Sequence, residues 1–295
     1  MFKGLIVYFS QGGTTARVAE SIAAGLRKEG YEIDLCNIKD KRPPDLSEYE
    51  LLGIGYPVYY FRPPFNVTDY VNSLPDLAGL QAFVFVLHGT YQGDASNPIR
   101  RTLVRKGARE VGHFHCLGAD FYLSYLKEGY LFSPDHPTKE ELARAEAFGH
   151  QVAGYAVGKP YILHEKEPPP PMVYRLERFL MSRWLIRQMY SRQFRVGAEK
   201  CTGCGLCIKL CPTRNITDRA SGHPAWGRDC LLCLTCEMKC PEDAITSSAS
   251  SLFSRLLVIP RLCILYNIRH ASSDPSLDYV RVVHRHGRTK REDQS

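Results

Sequence analysis

The sequence predicts an α/β chain: a doubly wound parallel sheet followed by a second, small α+β domain. Three observations carry that expectation. Short apolar runs rich in strand formers alternate with segments of helical apolar spacing through the first 160 residues. Such alternation implies parallel strands joined by helical crossovers, with helices on both faces. Eight of the eleven cysteines then fall within residues 200–245, in a duplicated pattern. Between the two regions stand four consecutive prolines, Pro168 to Pro171, which stop a helix and read as a stiff boundary.

Residues 3–9 (KGLIVYF) form the first predicted strand. A small-residue loop follows, Ser10, Gln11, Gly12, Gly13, Thr14 and Thr15, and then a helix over 16–26 in which Val18, Ile22 and Leu26 recur at helical spacing. A loop of this kind offers backbone N–H groups and hydroxyls to a phosphate at the helix N-terminus. It is neither the dinucleotide G-x-G-x-x-G nor a Walker loop with its lysine, and a plain glycine-rich turn is the competing reading. Further strands are predicted over 32–38, 51–55, 82–87 and 113–118, with helices over 64–74, 97–106 and 139–157, the last opened by Pro137-Thr138.

In such sheets ligands sit beyond the carboxyl ends of the strands. Three loops leave those ends. The Ser10–Thr15 loop is the first. Residues 56–64 (YPVYYFRPP) carry Pro57, Val58, Tyr59, Tyr60 and Phe61, and residues 88–94 (HGTYQGD) carry Gly89, Thr90, Tyr91 and Gly93. Each aromatic taken singly reads as a cover for the core. Together, beside a phosphate loop, they suit a flat isoalloxazine ring, held by stacking and tuned by backbone groups near its nitrogens.

The cysteines read Cys201-x2-Cys204-x2-Cys207-x3-Cys211-Pro212, then Cys230-x2-Cys233-x2-Cys236-x3-Cys240-Pro241, twenty-nine positions later. Ile216 and Ile245 keep that offset. Three thiolates two residues apart converge on one cluster, and the fourth reaches the other. One [4Fe–4S] centre is therefore expected on Cys201, Cys204, Cys207 and Cys240, and a second on Cys230, Cys233, Cys236 and Cys211. Structural zinc has no use for the third and fourth cysteines and the proline. Disulfides would need an oxidising compartment, and residues 1–30 carry no secretory signal.

Composition fits a soluble protein, with 44% apolar and 23% charged residues in 295. The best membrane candidate, residues 256–268, is short and interrupted by Pro260 and Arg261. The net charge of +7 gathers after residue 174. A reducing cytoplasm is expected, and low-potential clusters suggest an anaerobic setting. Cys36, Cys116 and Cys263 are scattered and read as small buried hydrophobes.

Ser10-x-Gly12-Gly13-x-Thr15 and the loops around it make residues 1–160 resemble a flavodoxin domain. With the paired cysteine motifs, the chain is similar to the flavodoxin–ferredoxin fusion proteins of anaerobic bacteria and archaea. Pro212-x-x-Asn215-Ile216, the segment His223-Pro224-Ala225-Trp226 and the basic helix ahead of the first motif extend the likeness. The resemblance implies FMN, with Ser10, Gln11, Gly12, Gly13, Thr14 and Thr15 on its phosphate. Pro57, Val58, Tyr59 and Tyr60 would line one side of the ring, and Gly89, Thr90, Tyr91 and Gly93 the other. Gly12 and Thr14 stand where threonine and asparagine are usual, which implies looser FMN binding.

The implied division is a flavodoxin-like domain over 1–160, a linker and basic helix over 161–195, a two-cluster ferredoxin domain over 196–250, and an extension with a basic tail over 251–295. The implied function is a relay of single electrons between two [4Fe–4S] clusters and FMN, shuttling reducing equivalents between partner redox proteins. No His/Asp/Ser arrangement, acid pair or nicotinamide motif supplies a catalytic residue. The alternative is an FMN-dependent reductase, fed through the clusters and acting on a small quinone, nitro or enone substrate.

Residues 173–194 read as one helix, with Leu176, Phe179, Leu180, Trp184, Ile186 and Tyr190 as an apolar stripe and arginines over the rest. Packing against a neighbouring domain is the preferred role, ahead of contact with an anionic membrane. Residues 247–254 are serine-rich, and 252–268 are apolar and expected to cover a domain face. Residues 280–292 read as a solvated basic tail with surface histidines His284 and His286. The tail lacks base-reading motifs, so no nucleic-acid partner is expected. The oligomeric state is open.

Overall fold

The computed structural model describes residues 2–159, 171–218, 222–247, 259–271 and 277–292. Most of the four-proline linker and the serine-rich stretch beyond Ser247 lie outside them. By its contacts the chain divides into two compact units, one of Met1–Ala119 with Asp135–Pro170, the other of Asp120–Pro134 with Pro171–Ser295.

In the first unit β1 (Phe2–Tyr8), β2 (Tyr31–Asn37), β3 (Leu51–Pro57), β4 (Gln81–His88) and β5 (Arg109–Leu117) form one parallel sheet ordered β2-β1-β3-β4-β5. This is the flavodoxin-like order, with its switch between β1 and β3. Strands covered on both faces read as continuous apolar runs. Leu5, Ile6 and Val7 of β1 and Phe83 to Leu87 of β4 are accordingly buried. The fifth strand starts four residues ahead of its expected place because Arg109 and Glu110 pair with Gln81 and Ala82 of β4.

Helix α1 (Thr14–Lys28) buries Val18, Ala19, Ile22, Ala23 and Leu26 against α5 (Lys139–Ala156) and the sheet. The two helices touch through glycines. A Cβ on Gly25 would lie 2.0 Å from the Glu146 carbonyl oxygen, and one on Gly149 2.2 Å from that of Ile22. Helix α5 begins at a capping box: Thr138 Oγ1 accepts from Glu141 N at 3.2 Å, and Glu141 Oε2 accepts from Thr138 N at 2.7 Å. Helices α2 (Phe65–Ser73) and α3 (Asn97–Arg105) form a second pair, α3 lying against β4 and β5.

The second unit takes α4 (Leu123–Lys127) and β6 (Tyr130–Phe132) from the middle of the sequence. Strand β6 pairs antiparallel with β11 (Tyr279–Arg285), and β11 with β12 (Arg288–Arg291). The stretch expected as a solvated tail is therefore a strand pair. Its alternation explains this: Val282 is buried with Leu126 and Leu131, while Arg281, Val283 and Arg285 are exposed. His284 is half-buried, with Nδ1 2.8 Å from Thr289 Oγ1, and burial lowers its pKa. His286 lies 3.2 Å from Asp243.

The single helix expected over 173–194 is three pieces: α6 (Met172–Leu180), α7 (Arg183–Gln188) and a 3₁₀ turn (Tyr190–Gln193). The break falls at Ser182, whose backbone is extended (φ −65°, ψ 151°). The pieces bury Tyr174 and Glu177, Ile186, and Ser191 in turn. Of the expected stripe Ile186 is buried and Leu180 and Tyr190 are half-buried, but Leu176, Phe179 and Trp184 are exposed. A later helix, α10 (Ile259–Ala271), packs beside α6.

The cysteine region is a twofold repeat in space as in sequence. Its first copy is β7 (Arg195–Val196), α8 (Leu206–Leu210) and β8 (Ile216–Asp218). Its second is β9 (Pro224–Trp226), α9 (Thr235–Met238) and β10 (Ile245–Thr246). The strands cross over between copies: β7 pairs with β10 and β8 with β9, both antiparallel.

Candidate functional site

In the first unit the phosphate-type loop follows β1 directly. Gly13 sits in the left-handed region (φ 91°), and its N–H donates to Ser10 Oγ at 3.1 Å. Ideal Cβ atoms on Gly12 and Gly13 would meet nothing within 4 Å. The first turn of α1 holds no acidic residue, so the positive end of its dipole is uncompensated. Thr15 is buried beneath the loop.

Asn37, at the end of β2, holds the loop in place. Its Oδ1 accepts from Ser10 N at 3.2 Å, while Nδ2 donates to Ser10 O at 3.1 Å and to Asp40 Oδ2 at 2.9 Å. Sequence reasoning missed Asn37. Its only local signal is a polar residue ending an apolar strand, and its partner lies twenty-seven positions away.

The second loop reaches the first. Tyr59 OH donates to Gln11 Oε1 at 2.5 Å, and its ring stands edge-on to Phe9, centroids 6.1 Å apart. Tyr59 and Arg62 exchange backbone hydrogen bonds of 3.0 and 3.1 Å, closing a turn in which Tyr60 (φ 50°) and Phe61 (φ 58°) are left-handed. Non-glycine residues held there are strained, a cost that clusters at ligand-binding loops. Phe61 is buried; Pro57, Val58, Tyr59 and Tyr60 are half-buried. Val58 N donates to Leu87 O at 2.7 Å, tying this loop to the end of β4, from which Gly89, Thr90, Tyr91 and Gly93 continue half-exposed or turned inward.

In the second unit the eight motif cysteines line two hollows. One is lined by Cys201, Cys204, Cys207 and Cys240. The other is lined by Cys211, Cys230, Cys233 and Cys236. Each hollow thus takes three cysteines from one motif and the fourth from the other. Among the described residues no three Cys, His, Asp or Glu side chains converge on a single metal ion.

Backbone donors point at the sulfurs in matching places. Asn215 N donates to Cys211 Sγ and Ala244 N to Cys240 Sγ, each at 3.3 Å, and Leu232 N donates to Cys230 Sγ at 3.2 Å. Burial, reinforced by the neighbouring Cys233, pushes the Cys230 thiol up to about 12, and the same causes raise Cys236 well above the ordinary thiol range. Cys207 is raised by burial too. Thiols so placed ionise readily only beside a strong cationic partner such as iron.

Three further residues flank the second set of cysteines. Trp226 stacks on Phe194, centroids 5.0 Å apart and planes 7° apart, and both side chains line the cavity. Glu237, buried beside Cys236, accepts from Ser247 N at 2.9 Å and pairs with Lys127 of α4. Cys36, Cys116 and Cys263 are buried away from both hollows.

Two family models match the chain. A family model for a flavodoxin domain matches residues 5–127, and one for a 4Fe-4S dicluster domain matches residues 188–245. Among solved structures the chain is similar to a flavodoxin from the domain Archaea (19% identity, 53% of this chain and 99% of that one, TM-score 0.41). It is also similar to Flavodoxin 2 from Bacillus cereus (20% identity, 52% and 99%, TM-score 0.43). Nuclear receptor subfamily 2 group C member 1 is 34% identical over 116 residues in Rattus norvegicus, covering 37% of this chain and 19% of that protein. The human protein is 33% identical, with 37% and 18% covered. The chain spans about a fifth of the length of these curated relatives. The sheet order, the two cysteine-lined hollows and the two matched models together make this chain a flavodoxin domain joined to a ferredoxin-like 4Fe-4S domain in one polypeptide.

Proposed function

We propose that this protein relays single electrons between two [4Fe–4S] clusters and an FMN, and exchanges them with partner redox proteins. The two domain types support an electron-transfer role. The observation that carries the two-cluster reading is the crossed lining of the hollows, three cysteines from one motif with the fourth from the other. Cys201, Cys204, Cys207 and Cys240 would hold one cluster, and Cys230, Cys233, Cys236 and Cys211 the second. The N–H groups of Asn215, Leu232 and Ala244 would draw charge from the sulfurs and so tune the potentials.

The loop after β1 fits an FMN phosphate. Its glycines leave open space, its N–H groups sit at an uncompensated helix N-terminus, and Asn37 holds it rigid. Ser10 to Thr15 would take the phosphate, with Pro57 to Tyr60 and Gly89 to Gly93 flanking the ring. When bound, FMN supplies exchange between two-electron and one-electron chemistry.

The test is purification under argon, followed by an anaerobic redox titration read by visible and EPR spectra. The expected result is FMN and about eight irons per chain, in two separately reducible clusters. About four irons, or no flavin released on denaturation, would overturn the corresponding half of the assignment. Saturable turnover of a quinone, nitro compound or enone by the reduced protein would overturn the carrier role in favour of a reductase.

A further inference from the structure

We propose that helices α6 and α10 form a surface that docks on an anionic lipid bilayer. The first observation is that α6 turns most of its apolar side chains outward, while α10 buries Ile264 with Tyr125 and Phe132 and leaves its leucines in the open. Their shared seam is polar: Tyr174 OH donates to Asn267 Oδ1, Asn267 Nδ2 donates to Tyr125 OH at 3.2 Å, and Cys263 Sγ donates to Glu177 Oε2 at 3.1 Å. Tyr174, Glu177, Cys263 and Asn267 are all buried.

Apart from Ile264 and Ile268 of α10, which turn inward, the large apolar side chains point the other way. Met172, Leu176 and Phe179, at i, i+4 and i+7 on α6, are 75%, 52% and 68% exposed. Leu262 and Leu265 of α10 are 48% and 64% exposed. A helix pair built for water buries its apolar stripe and shows its polar one. Large apolar side chains gathered in the open mark an interaction surface.

The second observation selects the occupant. Residues 171–198 contain six arginines and one carboxylate, Glu177, which is buried; residues 259–271 add Arg261 and Arg269 and no carboxylate. Arg187 is matched by Asp229 at 2.6 Å and Arg261 by Glu128 at 3.8 Å, while Arg175 and Arg269 lie exposed beside the apolar side chains. Apolar side chains among cations, with no exposed acidic group of the helices' own, complement an anionic headgroup layer over an acyl boundary. Among the described residues no helix is long and apolar enough to cross a membrane, so the contact is interfacial. This inference rests on exposure and charge and is independent of the electron-transfer reading.

Full-length protein carrying its cofactors is sedimented with vesicles of phosphatidylcholine plus phosphatidylglycerol, and with vesicles of phosphatidylcholine alone. Binding is expected to the mixed vesicles, weakened at least about tenfold on neutral vesicles or in high salt. Phe179→Glu and Leu265→Glu are each expected to reduce binding at least about tenfold with an unchanged far-ultraviolet circular dichroism spectrum. Arg175→Glu, on an exposed side chain, is expected to weaken binding and flatten its salt dependence, and serves if the apolar variants fail to fold. Absence of binding to anionic vesicles, or retention of wild-type binding by folded variants, would overturn the proposal. So would a dimer in light scattering that Phe179→Glu dissociates, which would assign the face to a second copy.

Discussion

The two copies of the cysteine motif share one backbone but live in different surroundings. Left-handed residues recur at the same offset: Gly203 (φ 68°) with Leu232 (φ 53°), Gly205 (φ 69°) with Leu234 (φ 57°), and Arg214 (φ 52°) with Asp243 (φ 46°). The first copy meets the conformation with glycine, in the open. A Cβ on Gly205 would touch nothing within 4 Å. The second copy puts leucine there, and Leu232 and Leu234 are only 3% and 2% exposed. Burial of a leucine stabilises by more than a left-handed backbone costs, so the inner copy tolerates strain that glycine avoids in the outer one. The cysteines follow suit: Cys204 is exposed, whereas its counterpart Cys233 is half-buried. A duplicated sequence thus sets Cys233 deeper than its open counterpart Cys204, a difference that would separate the potentials of clusters held there.

The largest expected effect comes from that difference. Cys233→Ser should lose about half the iron and unfold the cluster unit, whereas Cys204→Ser should lose about half the iron and leave the unit folded. Iron analysis with circular dichroism separates these outcomes, and equal damage from both would break the distinction between the copies. Exchanging the left-handed residues comes next. Leu234→Gly should cost about 1–3 kcal/mol, since lost burial outweighs relief of strain, and Gly205→Leu about 1–2 kcal/mol from strain alone. Denaturant titration measures both, and a stabilising Leu234→Gly would show that strain dominates the inner copy.

Asn215 has no equivalent in the second copy, where Ala244 stands in its place. Its side chain accepts from Asp229 N at 2.7 Å and donates to Gly227 O at 3.2 Å, fixing the approach to Cys230. Asn215→Ala should cost about 2 kcal/mol and leave the N–H bond to Cys211 intact. An unaltered midpoint in the same titration would show that this brace contributes nothing.

A pH-dependent effect concerns Glu177, outside both copies, whose carboxyl is pushed up to about 7 chiefly by burial. Because the folded state binds this proton more tightly, the associated stability is full below the ordinary 4.5 and lost as pH rises toward 7. Glu177→Gln should therefore gain stability at pH 8 relative to pH 5, on the order of 1–3 kcal/mol. Parallel melts of both proteins at the two pH values give the sign, and a gain confined to pH 5 would contradict it.

Much of the fold was legible because its signals are local. Val18, Ile22 and Leu26 mark α1, the apolar runs mark the buried strands, and Pro137-Thr138 marks the start of α5. The sets of cysteines that line each hollow were legible for a related reason: spacing along the chain dictates which thiolates can converge. Asn37 was not, because its partner Ser10 lies across two strands. Nor was the departure of residues 120–134 to the second unit, since strand pairing with residues 279–281 leaves no mark on either segment alone.

The helix over 173–194 was misjudged at the same boundary. Its period is visible in sequence, but the face that turns inward depends on its neighbour, and here α10 offers Cys263 and Asn267 to Tyr174 and Glu177. By itself the sequence determined what repeats at short range: element types, the phosphate-type loop and the crossed cysteine sets. Only the tertiary structure decided which copy of the motif is more deeply buried, which residues brace the loops, and which helical face meets solvent. Those outcomes rest on burial against partners distant in sequence, which neither periodicity nor spacing encodes.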